Sequence, residues 1–253
     1  MFFADADDTV RKDFFRRPLS ELERTGADLC LFGMGDMIPP RRLDLTGRSE
    51  IHAKMLNSFV GYSMDDVRRW NRGGSLGENR TLGSVCRCAF RRGFLERHAL
   101  KFNERMTFYE DCVFLMRAVA YAERAVEIAD PLFDYEIRPD GNFSSGVNSR
   151  RHWQYKLDML HERLQLEREV GDVWRHCEAS AVLGFLEMIA LGVRLRLPLG
   201  KQFAAAKSYL AAFEVRAAFR RFPISLRHPL LAAAVLLVRV WSWIVNVSVL
   251  SVR

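Results

Sequence analysis

No pair of cysteines or histidines in this chain stands at the spacing of a structural zinc site. Cys86 and Cys88 are separated by one residue, the other three of the five cysteines are isolated, and the six histidines are scattered. The N-terminus does not read as a signal peptide, so the expectation is five free thiols in a reducing cytosol. There is also no single basic arm of the kind that grips nucleic acid. The arginines lie dispersed in pairs along the chain (Arg16-Arg17, Arg41-Arg42, Arg68-Arg69, Arg91-Arg92, Arg150-Arg151, Arg220-Arg221), and nucleic acid is not the expected partner. Acidic residues are the scarcer sign: 38 Lys and Arg face 31 Asp and Glu, for a net charge of +7. That excess favours anionic partners, with sugar nucleotides and acidic lipid surfaces both fitting.

What is present is a core-forming composition. The 253 residues are 49% hydrophobic and 27% charged, enough for one large domain or one and a half. Asp28 to Phe32 is a short apolar run ending at Gly33 and reads as a buried strand. Asp13 to Arg24 reads as a helix interrupted by Pro18, and residues 34–82 as a loop-rich insert with one or two helices. Ala89 to His98 and Asp111 to Arg124 read as helices, and Ala125–Ala129 and Pro131–Ile137 as two strands. Strands alternating with helices imply an α/β domain over residues 1–150. Residues 151–253 change character. Trp153, Leu157, Leu160 and Leu164 recur at helical spacing, and two further helices are expected over Val173–Leu191 and Lys201–Phe219.

Residues 229–252 are strongly apolar, with Arg239 the only charge among them. Three readings stand open: a span, an in-plane interfacial helix, and a core helix or strand. An arginine near mid-bilayer is costly, which favours the in-plane helix, with Arg239, Ser242 and Asn246 forming a polar stripe toward the headgroups.

Two acidic motifs about a hundred residues apart carry the chemistry. Ala4-Asp5-Ala6-Asp7-Asp8 follows the apolar Met1-Phe2-Phe3, and Tyr109-Glu110-Asp111 precedes the apolar run from Cys112. In extended backbone Asp5 and Asp7 share one face, and clustered carboxylates supply hard oxygen ligands for Mg²⁺ or Mn²⁺. The same residues also suit an acidic helix N-terminus ahead of Thr9–Phe15. Glu110 and Asp111 similarly suit a helix start as well as a site.

The order of these pieces resembles the family-two glycosyltransferases of the GT-A fold over roughly residues 1–146. Phe2-Phe3-Ala4-Asp5-Ala6-Asp7-Asp8 looks like that family's strand and Asp-x-Asp-Asp motif, and Gly26 to Gly33 its following strand. Cys88-Ala89-Phe90-Arg91-Arg92-Gly93-Phe94-Leu95 is similar to its Lys-Leu-Tyr-Arg-Arg-x-Phe-Leu segment, departing from the family at Cys88 and Phe90. Leu100 to Glu104 followed by Tyr109 to Phe114 resembles its Glu-Asp-x-x-Phe signature, and Pro131 to Arg138 with the Ser144-Ser145 loop its closing strand and loop.

The resemblance implies the C-terminal part of a Rossmann-like GT-A domain followed by a helical tail. It implies metal binding at Asp5, Asp7 and Asp8, general-base catalysis by Asp111 with Glu110 in support, and substrate contacts from Arg138, Asn142, Ser144 and Ser145. The implied reaction is inverting transfer from a nucleotide-sugar donor to a hydroxyl of a glycan or lipid-linked acceptor, at the inner face of a cell membrane. Family members begin with β-α units that bind the nucleoside. At roughly 30 residues per unit, about 80–100 residues ahead of Met1 are expected to be missing. On that expectation the strand at residues 1–4 loses neighbours, and the isolated chain does not turn over sugar nucleotides. A catalytically inert remnant, acting as a membrane-peripheral binding module, is the rival expectation.

Overall fold

The computed structural model describes residues 1–6, 8–35, 42–76, 84–106, 109–134 and 149–250, the side chains of 149–152 and 242–250 excepted. The chain divides into two compact units. The first comprises residues 1–60, 79–147 and 166–173, and the second 61–78, 148–165 and 174–253.

The first unit is a mixed α/β structure around an open sheet. Its elements are β1 (Thr9–Val10), α1 (Arg16–Thr25), β2 (Leu29–Met34), β3 (Leu43–Thr46), α2 (Arg48–Ile51) and α3 (Asn57–Val60). A π-helical turn, His52–Leu56, joins α2 to α3. After α4 (Met64–Asn71), which belongs to the second unit, come β4 (Cys88–Phe90), α5 (Arg92–Arg97), α6 (Glu110–Tyr121) and β5 (Arg124–Asp134). The sheet runs β1-β5-β2-β4, with β3 also on β5. β2 pairs parallel with β5 and antiparallel with β4. Every residue of β2 is buried, as expected for a central strand read from an unbroken apolar run.

Pro18 does not interrupt α1. It is the third residue of the helix, inside the first turn, where a missing N–H costs no hydrogen bond. Gly26 ends α1 in the left-handed conformation, its N–H reaching Leu22 O, before the chain turns into β2.

Where two strands were expected over 125–137, there is one, eleven residues long, running through Pro131 to Asp134. The β2–β5 register shifts where Gly33 meets Pro131, an irregularity that lets proline sit in a strand. A Cβ at Gly33 would stand 3.1 Å from the Pro131 Cα, so glycine is what allows that approach. The helix expected from Ala89 begins only at Arg92, because Cys88–Phe90 is needed as a sheet strand.

The N-terminal strand is reduced to a single antiparallel bridge, Phe2 to Ala89, backed by Phe90 N–H donating to Met1 O at 2.9 Å. Among the described residues that segment pairs only with β4.

The second unit is helical: α4, most of α7 (Ser149–Val170), α8 (Glu178–Arg194), α9 (Leu199–Ala211), α10 (Phe213–Arg221) and α11 (Pro229–Leu250). The helix expected over 201–219 is two, because the chain leaves helical geometry at Ala212 (ψ 128°). Residues 229–250 are a helix, so the strand reading is overturned, and no helix among the described residues is long and apolar enough to cross a membrane.

The polar stripe is also corrected. Arg239 does not stand out toward solvent. Its guanidinium donates to Phe219 O and Phe222 O at 2.7 Å each, closing the carbonyl end of α10. Ser242 and Asn246 lie outside the described side chains.

Candidate functional site

The site is built by aromatic packing. Phe3 meets Phe90, Phe102 and Phe114 edge-on, with centroids 6.0, 5.1 and 5.6 Å away, and Phe102 stacks on Phe114 at 4.5 Å. Phe3 lies two residues before Asp5, and Phe114 three residues after Asp111 on α6. One apolar cluster therefore draws the acidic N-terminal segment and the start of α6 together across a hundred residues of chain.

Asp8 N–H donates to Asp5 O at 3.3 Å, which holds those two residues close. Asp7, and with it the expected shared face of Asp5 and Asp7, lies outside the described residues. Asp5 and Asp8 both act on the thiol of Cys86, which precedes β4. Burial first, then the Asp5 carboxylate, push that thiol up to about 11, with the Ser84 hydroxyl and the Asp5 backbone pulling the other way and Asp8 reinforcing the rise.

Asp111 is half-buried as a residue, but its carboxyl is enclosed by protein atoms. Burial raises its pKa to about 6, helped by the neighbouring Glu110 and Asp5 carboxylates and opposed by Cys112, whose N–H donates to Oδ1 at 2.7 Å. Asp111 is in the first turn of α6, where the helix dipole favours a carboxylate. Desolvation outweighs that preference here.

The structure thus brings Asp5, Asp8, Glu110 and Asp111 into one region of the first unit. Arg138, Asn142, Ser144 and Ser145 lie outside the described residues. Arg91 and Arg92 do not join the region. Arg91 donates to the Ala27 and Leu22 carbonyls, tying α1 to the sheet, and Arg92 pairs with Glu96 in solvent. Cys86 is the neighbour that spacing arguments missed. Considered only as a zinc ligand, it gave no signal of its proximity to Asp5. None of the five cysteines is in a disulfide. Carboxylate oxygens are the hard ligands that Mg²⁺ and Mn²⁺ take, but among the described residues no three of these carboxylates bring ligand atoms within 4.8 Å of one another.

The raised pKa has a consequence for stability. The carboxyl of Asp111 binds its proton more tightly in the folded chain than in the unfolded one. Its favourable contribution is therefore complete below about pH 4 and is lost as pH rises through about 6. Asp111→Asn, which cannot ionise, should stabilise the fold at pH 8 by about 2–3 kcal/mol relative to its effect at pH 3. Urea unfolding at the two pH values checks this, and an equal effect at both would mean that the carboxyl is not desolvated.

No protein-family model matches the chain. Among curated proteins it is similar to the uncharacterized glycosyltransferase EpsJ of Bacillus subtilis (strain 168), 26% identical over 138 residues, which is 54% of this chain and 38% of EpsJ. Among solved structures it is similar to S. aureus TarS 1-349 in complex with UDP, with a TM-score of 0.52 at 16% identity, covering 92% of this chain and 62% of that one. TarS 1-349 in complex with UDP-GlcNAc matches with a TM-score of 0.48 at 15% identity, covering 88% of this chain and 57% of that one. The chain spans less than two thirds of the length of each. In sequence and in fold it is glycosyltransferase-like.

Proposed function

We propose that this chain carries the metal-binding and general-base part of a nucleotide-sugar-dependent glycosyltransferase of the family-two, GT-A type, working by inversion. The observation that carries the reading is the enclosed Asp111 carboxyl, raised to about 6 chiefly by burial, with the Asp5 carboxylate among the neighbours that add to the rise. An inverting transfer needs one base to take the proton of the attacking hydroxyl, and a carboxylate raised toward neutrality is better matched to that proton than an ordinary one.

Asp111 accepts the acceptor's proton at a carboxylate oxygen, and Glu110 holds the local field. Asp5, Asp7 and Asp8 hold Mg²⁺ or Mn²⁺, which when bound neutralises charge on the departing nucleoside diphosphate. Arg138, Asn142, Ser144 and Ser145 complete the substrate contacts in this reading. TarS carries UDP in its complex, which supports a nucleotide-sugar donor here. The acceptor is a glycan or lipid-linked hydroxyl, and the place of action the inner face of a cell membrane.

Titration calorimetry separates the roles. In the protein that carries this chain, Asp7→Asn and Asp8→Asn should weaken Mn²⁺-dependent binding of a nucleoside diphosphate by about tenfold or more. Asp111→Asn should leave it within about twofold. Equal losses in all three variants would remove the division between metal ligands and base.

A further inference from the structure

Among the described residues, fourteen large apolar side chains stand exposed, and ten of them fall between Val193 and Val240, all in the helical unit. They are not scattered. On α11, Leu230, Leu237 and Val240 are exposed while Val235 is fully buried. At 100° per residue, positions 230, 233, 236, 237 and 240 share one face, and Val235 lies on the other. Arg239 lies toward the buried flank, where it caps α10. The outward face of α11 is therefore apolar from its start to Val240.

α9 extends this face. Leu199 and Phe203 are exposed on one stripe of that helix, at i and i+4, and the Phe203 ring meets Trp241 of α11 edge-on with centroids 6.3 Å apart. Lys207 continues the same stripe at i+8 and is exposed, as is Lys201 in the first turns.

Charge says what covers this face. Residues 191–250 hold nine Lys and Arg and a single carboxylate, Glu214; Arg216 and Arg239 donate to backbone carbonyls and Arg221 pairs with Glu178, which leaves six further cations. A protein partner would need a matching acidic rim, and a second copy of this chain would bring the same cations against these. A surface offering both hydrocarbon and dense negative charge satisfies both features at once. We infer that the α9–α11 face docks on an anionic lipid bilayer, with both helices in the plane of the interface and the side chains of Leu199, Phe203, Leu230, Leu237 and Val240 below the headgroups. This deepens the proposed membrane setting by naming its surface and its lipid chemistry. It rests on the second unit alone and is read without any transfer assay, so it stands or fails separately from the sugar-transfer reading.

The test is co-sedimentation of the full chain with vesicles. One set holds equal parts phosphatidylglycerol and phosphatidylcholine, the other phosphatidylcholine alone. Strong binding to the first set and weak binding to the second is expected, with loss on raising salt. Phe203→Ser with Leu237→Ser, and separately Lys201→Glu with Lys207→Glu, should each lower the partition coefficient about tenfold or more. All four positions are exposed, so both variants should keep the parent's circular dichroism. Equal binding to both vesicle types, or unchanged binding by either double variant, overturns the proposal. So does a sedimentation-velocity dimer that Phe203→Ser with Leu237→Ser abolishes, since a second copy would then own this face.

Discussion

Asp111→Asn should lower turnover about 10²-fold or more in the protein that carries this chain, with donor affinity almost unchanged. The substitution keeps size and hydrogen-bonding reach but removes the ability to accept a proton. In the parent, the rate should rise with pH as the carboxyl of Asp111 ionises, with a midpoint below about 6 when the cation is bound, and that acidic limb should vanish in the variant. A variant that keeps near-normal turnover assigns the base elsewhere. Because the same substitution should stabilise the fold at alkaline pH, an inactive but more stable Asp111→Asn protein would separate a catalytic role from a structural one.

The second large effect is in the sheet. Arg87 and Glu127 form an ion pair at 2.7 Å with exposures of 0% and 2%, and Arg87 Nε also donates to Phe32 O at 2.9 Å. One guanidinium thus joins the turn before β4 to both β2 and β5. Two charges removed from water are tolerable only while they hold each other and their hydrogen bonds. Arg87→Ala or Glu127→Ala leaves a buried charge unmatched and should cost about 3–5 kcal/mol. Replacing both by apolar side chains of similar volume, Arg87→Met with Glu127→Leu, should recover most of that loss. Denaturant unfolding of the three variants checks it. If the double variant is as unstable as the singles, the pair's cost lies in lost packing rather than in an unmatched charge.

The difference between what sequence and structure each showed is physical. β2 was legible because a central strand buries both faces and needs an unbroken apolar run. α6 was legible because Glu110 and Asp111 ahead of a long apolar segment mark a helix start. The approach of Asp5 to Asp111 came to the sequence only through resemblance. The contact that creates it, Phe3 on Phe114, joins residues 111 positions apart with no local signature. β5 was split at Pro131 because proline ordinarily ends a strand, and the shift opposite Gly33 that admits it is a property of the partner. Arg239 looked like a headgroup contact because periodicity places a side chain on a face without saying what that face meets. The α10 carbonyls it meets are a tertiary fact. Arg87 and Glu127 carried no signal at all, since an isolated arginine and glutamate forty residues apart usually stay in solvent.

The central claim is that Asp5, Asp8 and Asp111 form one cation-responsive acidic site. Carbon-13 NMR of the Asp111 carboxyl, assigned by its loss in Asp111→Asn, reads this directly. The account predicts a titration midpoint near pH 6 that falls when Mg²⁺ is added, and that stays near 6 with Mg²⁺ in Asp5→Asn with Asp8→Asn. A midpoint near the ordinary aspartate value, unmoved by Mg²⁺, would contradict it.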